Sequence, residues 1–102
     1  MADHTPLTQP DEALRQVRTD ETTRAGLLWI ADRLTDQRPR HEMLPAARLA
    51  LALRVGLDCH GYTDQAHTLE RDLLLRMPTI EQAITRGEYA LILRRAAGKV
   101  DA

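Results

Sequence analysis

Pro45 to Cys59 reads PAARLALALRVGLDC, and whether this run is strand or helix decides the fold class. Leucine and alanine alternate from Leu49 to Leu53 with the two-residue period of a strand. Both are strong helix formers, however, and β-branched residues are scarce here. Pro45 suits a first helical position, where its missing N–H is no loss. The run therefore reads as a helix over Ala46–Cys59. It is apolar almost all round, interrupted only by Arg48, Arg54 and Asp58, and such a helix normally lies at the centre of a bundle. The expected architecture is all-α: a compact bundle of four to five short helices with the Ala46–Cys59 helix central.

Downstream, Leu57–His67 (LDCHGYTDQAH) gathers the only cysteine with His60, His67, Asp58, Asp64 and Tyr62. A metal reading would make Cys59, His60 and His67 ligands, with an aspartate as the fourth. Adjacent Cys59 and His60 point roughly 100° apart on a helix, a poor chelating pair, and no second Cys/His cluster completes a tetrahedron. A Cys59–His67 nucleophilic pair would need a third, orienting group that the sequence does not identify. End-of-helix chemistry accounts for every residue instead. Gly61 supplies a left-handed position, His60 suits the negative last turn, Thr63 or Asp64 caps the next helix, and Cys59 is a small buried hydrophobe. The stretch is read as a joint, with no metal, no cofactor and no catalytic residue assigned. His41 in HEMLP lacks the second histidine of a zinc-protease motif.

The next helix runs from this joint to Met77 and stops because Pro78 follows. Ala66, Leu69, Leu73 and Met77 make its buried face, and Asp72 can pair with Arg76. Thr79 with Gln82 forms one capping box and Thr85 with Glu88 a second. The apolar stripe rotates between them, from Ile80, Ala83 and Ile84 to Tyr89, Ile92, Leu93 and Ala96. A helix over 79–97 with a break near residues 85–87 is expected, the alternative being one continuous helix between two apolar surfaces. Gly98 is a C-terminal stop.

Upstream, DQRPRHEMLP is a connector. Glu21–Asp36 is helical, with Leu27, Leu28, Ile30, Ala31 and Leu34 in one stripe and Trp29 on the opposite side, near Ala25 and Asp32. A short helix led by Thr8 and Pro10, with an Asp11–Arg15 pair, either continues through RTDETTR or gives way to a new start at Thr19 or Asp20. Residues 1–9 form a loose arm, and 10–99 form a single helical domain.

Composition narrows function. The 102 residues carry 14 Lys+Arg against 15 Asp+Glu, which removes the simplest electrostatic case for nucleic acid or an anionic membrane. Serine is missing, so there is no serine nucleophile. One cysteine makes no internal disulfide, the N-terminus has no secretory pattern, and the apolar window Leu44–Leu57 is too short to span a bilayer. A cytoplasmic, non-enzymatic protein is expected, acting through an apolar helix face on a protein partner or on a second copy of itself. Trp29, Leu51 and Leu75, which lie off their helices' main stripes, are the candidate partner-binding residues. The alternative is a DNA-binding regulator with a helix-turn-helix-like unit at residues 64–97, reading through Gln82, Thr85, Arg86, Arg94 and Arg95. Against it stand a proline in the turn and two acidic residues, Glu81 and Glu88, on the reading helix.

Overall fold

The described residues fold into four helices: α1 (Pro10–Asp36), α2 (Pro45–His60), α3 (Asp64–Arg76) and α4 (Arg86–Gly98). This is a computed structural model that describes residues 10–100. The expected arm over 1–9, the Thr8 cap and the Asp11–Arg15 pair lie outside the described residues. Among those described the architecture is all-helical, and the only β-type pairing is an isolated bridge between Glu42 and Thr85.

α1 is one helix, not two. No new start forms at Thr19 or Asp20; the Thr19 hydroxyl, like that of Thr22, donates back to the carbonyl four residues earlier, Arg15 at 2.9 Å and Arg18 at 2.8 Å. Its second half supplies Leu27, Ile30, Ala31 and Leu34 to the core, all with no exposed surface. Leu28, expected in that stripe, stays 38% exposed at its edge. α4 lies against α1 and contributes Tyr89, Ala90, Leu93 and Ala97; α3 contributes Leu69 and Leu73.

α2 is not the central helix. It packs chiefly on α3, touches α1, and does not meet α4, whereas α1 packs against all three others. Its buried residues are the small ones, Ala52, Val55 and Gly56. The reason is a close approach at Gly56. A Cβ there would lie 2.6 Å from the carbonyl oxygen of Ala66, so α2 sits flat on the α3 backbone. Its other side, with Leu49 and Leu53, faces outward.

The joint between α2 and α3 lies where the sequence implies, with Gly61 at a positive φ as expected but outside the left-handed helical region. Gly61 has φ 67° and ψ −156°, a conformation for which only glycine is suited. Thr63 caps α3, its hydroxyl accepting from the Ala66 N–H. Cys59, expected to be buried, is exposed. Asp72 and Arg76 form no ion pair among the described residues.

The helix expected from Thr79 does not form. Residues 77–85 are a non-helical connector, and the first capping box goes unused. The second is made in full: the Thr85 hydroxyl accepts from the Glu88 N–H, and the Glu88 carboxylate accepts from the Thr85 N–H. Those bonds hold the Glu88 carboxyl below the ordinary glutamate range. Tertiary bonds select this start. Met43 N–H donates to the Ile84 carbonyl, while the Arg86 and Gly87 N–H groups at the head of α4 donate to the carbonyls of His41 and Pro39.

Tyr89 fixes the other end of the connector by donating its hydroxyl to the Pro78 carbonyl at 2.6 Å. Burial pushes this phenol above its ordinary value, against a smaller opposing pull from Arg48. The folded chain thus holds the proton to higher pH than the unfolded chain. The stabilisation is complete below about pH 10 and is lost as pH rises through the folded-state value. Tyr89→Phe is expected to flatten the alkaline fall in stability, at a cost of about 1 kcal/mol at neutral pH for the lost hydrogen bond. Denaturant titrations at neutral and alkaline pH measure both effects.

Candidate functional site

Trp29 points away from the core side of α1, as its spacing from Leu27, Ile30 and Leu34 dictates, and remains 39% exposed. It walls a groove of about 480 Å³ between α1 and α2. Ala25 and Gly26 of α1 and Val55 and Cys59 of α2 give the groove an apolar lining, and Glu21 and Asp58 are its charged residues. The Arg33 guanidinium stacks 5.4 Å from the indole centroid, a cation–π contact that holds the ring in place. Asp58 is paired with Arg54 at 3.1 Å, whereas Glu21 makes no ion pair among the described residues.

The other two residues chosen for a partner surface are not brought to this groove. Leu51 is half-buried against the core. Leu75 is 78% exposed on α3, where it lines clefts that Trp29 does not share. Sequence reasoning missed Leu49 and Leu53, because a helix taken as central has no outward face. It also missed Leu14 and Val17, which are exposed on the first turns of α1. Their signal was present: an apolar residue on a helix side that already has a complete core stripe elsewhere.

The residues of the DNA-reading alternative are spread between internal bonds and the surface. Arg86 donates through Nε to the Gln37 carbonyl at 2.9 Å. Arg94 spans α4 and α1, reaching Asp32 at 2.9 Å and the Thr35 hydroxyl at 3.3 Å. Thr85 is committed to its cap. Gln82 and Arg95 are exposed and line a concavity of about 560 Å³ between the connector and α4, beside Glu81 and Glu88. Residues 77–85 separate α3 from α4, well beyond the three or four residues of a helix-turn-helix turn.

In the joint, His67 approaches Glu70 at 3.5 Å on the exposed side of α3. No three His, Cys, Asp or Glu side chains among the described residues converge to hold a metal ion. No helix among them is long and apolar enough to cross a membrane. What the Trp29 groove offers chemically is an aromatic wall, an apolar lining and carboxylates, a combination suited to holding an apolar group that also carries positive charge. No protein-family model, curated protein or solved structure matches the chain.

Proposed function

We propose that this chain is a small, non-enzymatic interaction or regulatory protein of the cytoplasm that takes a protein partner at the Trp29 groove. One observation carries the reading. The sole tryptophan is part-exposed in an apolar groove, on a helix whose core face is complete without it. Binding energy at protein interfaces concentrates on such aromatic anchors, where a partner group can be fully desolvated. Glu21, which has no ion-pair partner among the described residues, favours a partner segment that combines apolar and basic side chains. The DNA-reading alternative has less to stand on: the first N–H groups of α4 and two of its arginines already have partners within the chain.

The test is recovery of partners with tagged wild-type and Trp29→Ala chains side by side. Trp29→Ala is expected to weaken association by about 2 kcal/mol, or roughly thirtyfold, with helical content by circular dichroism retained. Partners recovered equally by a folded Trp29→Ala chain would refute the reading. So would a loss of helicity, which would assign the indole to the core.

A further inference from the structure

Resting on that reading, we infer that the occupant of the Trp29 groove is a second copy of this chain, which inserts the first turns of its own α1. The reasoning begins with how little of α1 the bundle uses. A helix of 27 residues is ~40 Å long. Among its described side chains the buried ones begin only at Thr23, and every one from Glu12 to Thr19 is exposed. A free helical end of that length is marginal in water. Yet Leu14 and Val17 are 52% and 53% exposed on it, a cost that a covering surface would remove.

The pattern along α1 identifies that surface. Leu14, Arg18, Glu21, Ala25, Trp29 and Asp32 follow one another at intervals of three and four residues, so they share one side of the helix, opposite Leu27, Ile30 and Leu34. This side contains the groove residues Glu21, Ala25 and Trp29. Intervals of three and four are those of a seam between paired helices. The charges set its direction. Two copies of α1 laid antiparallel bring Leu14 of each opposite Ala25 of the other, one turn from the other's Trp29. The same alignment sets Arg18 of each beside the other's Glu21. Neither Arg18 nor Glu21 has an ion-pair partner among the described residues of its own chain. Both contacts are reciprocal, so the pairing closes as a two-fold dimer and does not propagate.

Sedimentation of the full chain over a concentration series, with Trp29 emission followed in parallel, tests this. Wild type is expected to form a dimer, with the emission shifting to the blue as the indole is covered. Glu21→Arg or Arg18→Glu alone should weaken dimerisation by about tenfold or more, by setting like charges against each other. The double variant Arg18→Glu with Glu21→Arg should restore it, a rescue that a merely structural role would not produce. Both positions of this exchange are on the exposed side of α1, and circular dichroism should show unchanged helicity. A wild-type monomer at millimolar concentration overturns the inference, as does a dimer that neither single charge change weakens. A monomer that still binds another protein through Trp29 sinks this inference alone, whereas a dimer and partners both indifferent to Trp29→Ala sink the groove as an interface altogether.

Discussion

Gly56→Val is expected to cost the domain about 3 kcal/mol or more, a large share of the roughly 5–15 kcal/mol that holds a domain together. A Cβ at this position lies 2.6 Å from the carbonyl oxygen of Ala66 and 3.3 Å from its carbonyl carbon. Both atoms are α3 backbone, with no rotamer to turn aside, so α2 and α3 must separate. Separation loosens the packing of Ala52 and Val55 along with Leu69 and Leu73. Glycine in a helix interior is itself unfavourable by about 1 kcal/mol relative to alanine, and Gly56→Ala recovers that while incurring the same first clash. The expected order of stability is therefore wild type, then Gly56→Ala, then Gly56→Val. Gly98→Ala, whose Cβ meets nothing within 4 Å, is the control and should be close to neutral. Urea midpoints at a shared slope rank the four proteins. A Gly56→Ala chain as stable as wild type would show that the two backbones do not approach this closely.

That same contact explains what the sequence could and could not disclose. Helix propensity settled the class of the Pro45–Cys59 run, because it is a local property of leucine and alanine. Its position in the bundle is not local. Apolar residues on every side suggested burial on every side, but the close approach at Gly56 buries only a narrow strip, leaving Leu49 and Leu53 outside. In the 79–97 region the two capping boxes were equivalent as local signals. The second one forms because residues 39–43 supply backbone partners to residues 84–87, a pairing between segments some forty residues apart. Trp29 was legible as off the core stripe from helical periodicity alone. The opposite wall of its groove, Val55 and Cys59, depends on α1 lying beside α2, and no spacing within either helix encodes that.

Arg48→Met is expected to cost about 3 kcal/mol, although methionine fits an apolar helix better than arginine does. Arg48 read as an interruption in the apolar run; in the fold it is the tie between α2 and the end of α3. Its Nε and Nη2 donate to the Met77 carbonyl at 3.1 and 2.8 Å, and Nη2 also reaches the Leu74 carbonyl at 3.0 Å. The last carbonyls of a helix have no intrahelical donors, and a cation there is further favoured by the helix dipole. Met77 is buried, so removing the guanidinium strands its carbonyl where water reaches poorly, at about 1–3 kcal/mol for each orphaned group. Lysine is a compact charge without the planar fork, so Arg48→Lys should fall between methionine and wild type. Tyr89 holds the very next carbonyl, that of Pro78, from α4. The two side chains thus hold adjacent carbonyls and lie close enough for Arg48 to act on the phenol, and a double-mutant cycle of Arg48→Met with Tyr89→Phe should be non-additive by about 0.5 kcal/mol or more. An Arg48→Met chain within about 0.5 kcal/mol of wild type, the range typical of surface changes, would mean the guanidinium only decorates the end of α3. The expected loss would instead identify a charged residue in an apolar helix as what ends α3 firmly enough for residues 77–85 to stay non-helical and for α4 to begin at Arg86.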